Sequence, residues 1–139
     1  MFNLHPQLSE DCFLVGDLPL CRVLLANDKN YPWLILVPRR EGVREIFQLQ
    51  ASDQVLLMSE SSSVARILNA HFNADKMNVA ALGNMVPQLH LHHIVRYKID
   101  VSWPKPVWGV EQAKIYSSEE TTLWIKCFRE LLLPLGLSH

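Results

Sequence analysis

The sequence predicts an α+β protein in which an antiparallel sheet of about five strands packs against a central helix and a C-terminal helix. Three observations predict this fold: short apolar runs bounded by turn residues, two longer segments with helical periodicity, and Pro and Gly residues placed between them. The strand-like and helix-like segments are partly segregated along the chain and do not strictly alternate. This order favours an antiparallel sheet with the helices on one face.

Short segments with strand composition occur along much of the chain. The first two flank a Gly-Asp-Leu-Pro turn and predict a hairpin, and the third lies between two prolines, which cannot donate to a strand ladder. The last two flank a Gly-Asn turn and predict a second hairpin. In chain order the predicted strands are residues 12–15, 20–26, 34–37, 77–82 and 89–95.

Two segments follow a helical pattern. Residues 52–72 place apolar side chains on one stripe, with Ser52 as a candidate cap. Ser117 and Glu120 have the spacing of a capping box at the start of the second helix, so the C-terminal part, residues 101–133, is predicted to be a loop followed by a helix. The Pro- and Trp-rich loop can cover an active site, lie at a subunit boundary, or pack into the core.

Length, composition and charge limit the class of protein. With 139 residues, of which 49% are hydrophobic, residues 1–139 are expected to form one domain, and a domain of this size often gains stability from self-association. A net charge of −1 argues against a nucleic-acid-binding protein. No segment is apolar for long enough to span a membrane, and no secretory signal is visible, so a cytoplasmic location is expected.

The chemically informative segment is residues 88–96, Gln-Leu-His-Leu-His-His-Ile-Val-Arg. In a strand, Gln88, His90 and His92 share one face, about 7 Å apart, while His93 points to the opposite face and is expected to pack under the central helix. A neutral imidazole can attack phosphorus while a neighbouring donor protonates the leaving oxygen. The spacing therefore indicates phosphoryl chemistry.

The spacing also allows two other interpretations. His90 and His92 can be ordinary strand histidines with no chemical role. His-x-His on a strand can also chelate zinc, although such a site needs a third ligand and no Cys or carboxylate lies close in sequence.

Residues 83–96 resemble the signature of the histidine triad family. In that register Gln88 takes the place of the first histidine, His90 matches the central nucleophile and His92 matches the third histidine. Upstream, residues 23–28 and 33–40 resemble the paired strands that line the nucleoside pocket of the family, and Trp33 stands where many members have a further histidine. The resemblance covers roughly residues 10–100.

The resemblance implies a ping-pong nucleotidyl hydrolase or transferase. His90 would attack the α-phosphorus of a nucleoside phosphoramidate or dinucleoside polyphosphate and form a nucleotidyl-His90 intermediate that water resolves. His92, Gln88 and Asn84 would stabilise the charge on the phosphate oxygens. The resemblance also implies a homodimer with no required cofactor, although a divalent metal can accompany a polyphosphate substrate.

Two further residues are candidate nucleotide contacts. Asn27 matches the position that contacts ribose in relatives, but its neighbours have loop composition and it is equally well a turn residue. Arg96 falls where the family often ends in Pro-Arg. Because Gln88 and Trp33 replace family histidines and Gln88 cannot act as an acid near neutral pH, one alternative function is a nucleotide-binding protein with little catalysis. The His-x-His spacing leaves a histidine-based metal-binding protein as another.

Overall fold

A computed structural model describes residues 1–139. The strands form one sheet in the order β1-β2-β3-β5-β4, and every neighbouring pair is antiparallel. The predicted α+β fold with five antiparallel strands is confirmed. The strands are β1 (Cys12–Asp17), β2 (Cys21–Ala26), β3 (Trp33–Pro38), β4 (Lys76–Ala80) and β5 (Leu91–Arg96).

Helices lie on both faces of the sheet. The two predicted helices, α2 (Ala51–Phe72) and α3 (Ser118–Leu132), bury their apolar sides in the main core on one face. A short helix that the sequence analysis does not predict, α1 (Pro6–Asp11), places Leu8 against Leu24 on the opposite face. The prediction that all helices lie on one face is therefore wrong for α1. None of the helices combines the length and the apolar composition needed to cross a membrane.

The two long helices begin in different ways. The N-cap of α2 is Gln50, so Ser52 lies within the first turn and is not the predicted cap. The hydroxyl of Ser117 accepts from the backbone N–H of Glu120 at 3.1 Å, and the Glu120 carboxylate accepts from the backbone N–H of Ser117 at 2.9 Å. The predicted capping box is thus confirmed, and it pairs two amide groups that a helix start leaves free.

The connection between β4 and β5 is longer than the predicted tight turn. Strand β5 begins at Leu91, so residues 81–90 form a loop and His90 precedes the strand. Leu89 donates its N–H to the carbonyl of Val43 at 3.0 Å and so pairs with the segment after β3. The predicted strand start at residue 89 is therefore two residues early, because Leu91 is the first residue of this segment with a partner in β3.

Candidate active site

The two predicted catalytic histidines lie together on the face of the sheet opposite α2. Strand alternation points Leu91 and His93 toward α2 and His92 away from it. His90 lies just before the strand, yet its ring centroid is 5.0 Å from that of His92, with the planes at 72°. Both side chains are 7% exposed. The shared face of His90 and His92 thus persists although only His92 belongs to the strand.

The ring of His90 is oriented by the backbone beside it. Its Nδ1 lies 2.6 Å from the carbonyl oxygen of Gln88. A carbonyl can only accept, so the hydrogen is assigned to Nδ1 and Nε2 carries the lone pair of the neutral ring. This arrangement leaves Nε2 as a nucleophilic nitrogen.

The ring of His92 is oriented by Trp33. The indole Nε1–H donates to His92 Nδ1 at 3.1 Å. An indole nitrogen only donates, so His92 Nδ1 must accept and the hydrogen of the neutral ring lies on Nε2. Burial, with smaller contributions from the neighbouring His90 and His93, lowers the pKa of His92 to about 3. His92 is therefore a neutral hydrogen-bond donor near neutral pH.

The Nε2 atoms of His90 and His92 are both available to a ligand. Neither atom has a hydrogen-bond partner within the protein. No buried side-chain nitrogen or oxygen of the chain lacks a partner, so these two atoms are not enclosed. A nucleophilic nitrogen and a donor, both accessible, thus lie on rings whose centroids are 5.0 Å apart.

The loop of residues 101–109 contributes an aromatic wall to this site. Trp108 stands edge to face with His92, at 5.0 Å between ring centroids, and with Trp33 at 6.0 Å. It is 38% exposed. Trp108 therefore covers the face that carries His90 and His92, one of the three roles considered for this loop. Trp103 of the same loop packs against Arg96.

The Gln88 side chain is tied to the N-terminal segment. Its Oε1 accepts from the backbone N–H of His5 at 2.8 Å, and its Nε2 donates to the carbonyl of Asn3 at 2.9 Å. The amide oxygen and one of the two amide hydrogens are therefore engaged by the chain itself, which leaves a single N–H on the predicted phosphate donor.

Arg96 does not face the site, and its prediction as a nucleotide contact is wrong. The side chain is 1% exposed and forms an ion pair with Asp100 at 2.8 Å. Its other hydrogen bonds go to Asn78, Ser102 and the carbonyl of Lys105. Asp100 lies in the turn that follows β5, four residues after Arg96.

The two predicted asparagines occupy different places. Asn84 is exposed in the loop before His90 and makes no side-chain hydrogen bond within the protein. Asn27 lies at the end of the sheet where β5 ends, whereas His90 lies where β5 begins. The Oδ1 of Asn27 accepts from the N–H of Tyr116 at 3.0 Å, which supports its interpretation as a turn residue.

His93 packs under α2, as predicted. Its side chain is 0% exposed, Nδ1 donates to the carbonyl of Leu91 at 3.1 Å, and Nε2 accepts from the hydroxyl of Ser61 at 2.7 Å. Burial lowers the pKa of His93 to about 4. Both ring nitrogens are used within the fold, so His93 has none left for a substrate.

A cavity of about 250 Å³ opens beside His90. It contains Arg44, which the sequence analysis did not single out because nothing local marks it. Only the backbone N–H of Arg44 is hydrogen-bonded, to the Gln48 side chain, and its guanidinium has no partner in the protein. The lining residues are Arg44, Glu45, Ile46, Phe47, Ala81, Leu82, Gly83, Gln88, Leu89 and His90.

The site does not favour the metal-binding interpretation. No group of three or more His, Cys, Asp or Glu side chains is placed to hold a metal ion. His90 and His92 therefore lack the third protein ligand that a zinc site requires.

The family-model comparison and the comparison with solved structures identify the same family. The model of the HIT domain family matches residues 7–99. A histidine triad protein from Marinobacter aquaeolei is 50% identical, with a TM-score of 0.89 over 97% of this chain and 96% of that one. One from Bradyrhizobium japonicum is 48% identical, with a TM-score of 0.89 over 93% and 96%. One from Sinorhizobium meliloti is 42% identical, with a TM-score of 0.91 over 95% and 98%. None of the curated proteins matches the chain.

Proposed function

The chain belongs to the HIT domain family, and we propose that it is a nucleotidyl hydrolase or transferase in which His90 is the nucleophile. Family members are generally nucleotide hydrolases or transferases. The observation that carries the proposal is the pair of accessible Nε2 atoms, one with a lone pair and one with a hydrogen, on neighbouring imidazole rings. The substrate is a nucleoside phosphoramidate or a dinucleoside polyphosphate.

The proposed reaction has two displacement steps. The Nε2 lone pair of His90 attacks the α-phosphorus and a P–N bond forms. The bond from phosphorus to the leaving group breaks, and the leaving group takes its electron pair, together with a proton from solvent where it is an amine. Water then attacks the nucleotidyl-imidazole, the P–N bond breaks, and the water proton passes to solvent. The hydrogen bond from Nδ1 to the Gln88 carbonyl holds the ring in the reactive tautomer throughout.

His92 and the loop before His90 would stabilise the charge that develops on the phosphate. The His92 Nε2–H donates to a non-bridging oxygen, and being neutral it needs no proton change to do so. Asn84 and the remaining amide hydrogen of Gln88 are further donors in this proposal. No cofactor takes part, and a divalent metal would arrive only as a component of a polyphosphate substrate.

The test is chemical trapping of the intermediate. His90→Asn should lower turnover of an adenosine phosphoramidate and of a diadenosine polyphosphate by at least roughly 1,000-fold, because no other nitrogen can replace Nε2. The exposed His71→Asn is the matched control and should react like wild type. Acid quench should leave labelled nucleotide on the wild type and none on the His90 variant. Retained turnover in the His90 variant would remove the nucleophile assignment.

A second candidate is a nucleotide-binding protein with little catalysis. The engagement of the Gln88 amide by the N-terminal segment favours it, because the site then contains two imidazoles and one free amide hydrogen. Nucleotides would raise the melting temperature by binding the native state, but no nucleotidyl-His90 would be trapped.

The assembly and location form part of the same proposal. Large apolar side chains remain exposed on the monomer, among them Ile99 at 93% and Val101 at 52%, which supports a homodimer. Light scattering of the purified chain would measure its mass directly.

All three cysteines are free, which supports the reducing environment of the cytoplasm.

A further inference from the structure

The leaving group of the proposed reaction must either take a proton from the protein or depart as an anion. A departing amine or alkoxide needs a proton in the transition state, and a positioned acid typically supplies it. The groups around His90 therefore determine which leaving groups this site can release.

His92 is not arranged to give up a proton as an imidazolium. Protonating it would place a second hydrogen on Nδ1, which already accepts the indole hydrogen of Trp33. Two hydrogens would then point at each other beside His92, which is 7% exposed. His92 can donate a hydrogen bond but has no spare proton to transfer.

The other candidate acids near His90 fail for separate reasons. The Gln88 amide does not ionise, and it is tied to Asn3 and His5. His5 itself uses Nδ1 to accept from the Gln7 N–H and does not line the cavity beside His90. Of the charged residues in that cavity, the Arg44 guanidinium keeps its proton and the exposed Glu45 carboxylate accepts hydrogen bonds.

Arg44 is placed to receive an anion instead. It shares the cavity with His90, and its guanidinium has no partner in the protein. The guanidinium groups of the two preceding arginines already have partners in the protein. That of Arg39 donates to the carbonyls of Leu18 and Leu20, and that of Arg40 pairs with Asp53 at 2.7 Å. A guanidinium without a partner beside a nucleophile is suited to binding a negative charge.

We propose that this site transfers nucleotidyl groups from leaving groups that depart as unprotonated anions toward Arg44, as acyl phosphates, aryl esters and polyphosphates do, in preference to amines. This inference rests on the proposed function. The P–O bond to the leaving group breaks, the electron pair stays on that oxygen, and Arg44 binds the resulting anion. Hydrolysis of nucleotidyl-His90 then returns neutral His90 and releases one proton to solvent.

A leaving-group series tests the proposal on the wild-type protein. The substrates are the p-nitrophenyl ester, the phenyl ester and an alkylamidate of adenosine 5′-monophosphate. We expect kcat/KM for the p-nitrophenyl ester to exceed that for the alkylamidate by more than about 100-fold, the least that an acid would contribute. Values within about tenfold of each other would overturn the proposal, because a protein acid would then be acting.

Trapping separates this inference from the proposed function. Nucleotidyl-His90 that forms from the ester and only slowly from the amidate supports both. Equal rates of formation from both substrates overturn the leaving-group preference alone. No adduct from any of the substrates overturns the nucleophile assignment and this inference with it.

Arg44→Gln tests the anion-binding role. We expect it to lower kcat/KM for the p-nitrophenyl ester by about tenfold and to change the value for the amidate by less than about twofold. Arg66→Gln is the matched control, because Arg66 is exposed on α2, outside the site. Equal effects of the two variants, or equal effects of Arg44→Gln on both substrates, would contradict the role.

Discussion

His92 and His93 are adjacent, buried residues of the same strand, yet they have different roles. His93 faces α2 and uses both ring nitrogens, one on a backbone carbonyl and one on Ser61. His92 faces the other way and uses only Nδ1, on Trp33. Buried polar atoms in proteins are almost always paired. The ring nitrogen left without a partner therefore marks the face where a substrate can bind, whereas His93 stabilises the fold.

Between His92 and His93, the largest effect is expected from changing the hydrogen-bond donor at His92. His92→Asn loses the Nε2–H and should lower kcat by about 100- to 1,000-fold, the cost of one donor to a developing oxyanion. His92→Gln keeps an N–H near the Nε2 position and should lose less than about tenfold. Steady-state kinetics on the p-nitrophenyl ester measure both.

The pair of variants also separates two roles of the ring. A neutral donor can be replaced by glutamine, whereas a proton-transferring acid cannot. An equally large loss in His92→Gln and His92→Asn would therefore contradict the neutral-donor role. The same losses are not expected for His93→Gln, because that ring does not reach the site.

Acid should destabilise the fold through both histidines. Burial lowers the pKa of His92 to about 3 and that of His93 to about 4. An unfolded imidazole titrates near 6.5, so below about pH 6.5 the unfolded chain binds protons that the folded chain does not. The stability present above that pH is lost as the pH falls. At about pH 5 the free energy of unfolding should be lower by roughly 2 kcal/mol per histidine.

Urea unfolding at neutral pH and near pH 5 measures this loss. His93→Gln retains an amide that can pair with Ser61 and does not titrate, so its stability should fall less between the two pH values. If His93→Gln lost as much unfolding free energy as the wild type, this prediction would be contradicted and the acid sensitivity would be assigned to carboxylate groups.

Local patterns predicted most of the fold and the correct faces of the histidine segment. Strand alternation separates His92 from His93, and the capping box places the start of α3, because both depend on residues close in sequence. The environment of the site depends on distant residues. Trp33 and His92 are 59 residues apart, and Gln88 contacts His5 and Asn3, which are 83 and 85 residues away. No local pattern marks these contacts.

Arg96 is an instructive exception. The family resemblance placed it among the nucleotide contacts, whereas the structure pairs its guanidinium with Asp100. A buried guanidinium needs charge and hydrogen-bond partners, and a carboxylate in the following turn supplies them.

The smallest effect is expected from removing the hydrogen bond between the Trp33 indole and His92. Trp33→Phe keeps an aromatic ring but removes the indole hydrogen from His92 Nδ1. Nδ1 can then bind a proton in the transition state, while the burial that lowers the pKa of His92 to about 3 remains. We expect kcat/KM for the alkylamidate to rise about tenfold relative to that for the p-nitrophenyl ester.

Trp108→Phe is the matched control for this prediction, since Trp108 touches the His92 ring without a hydrogen bond to it. Imidazole nitrogen NMR of both variants reports the tautomer of His92 directly. Only Trp33→Phe should allow the hydrogen of the neutral His92 ring to lie on Nδ1. If the two variants change the substrate ratio equally, packing around His92 sets the leaving-group preference, and the indole hydrogen does not.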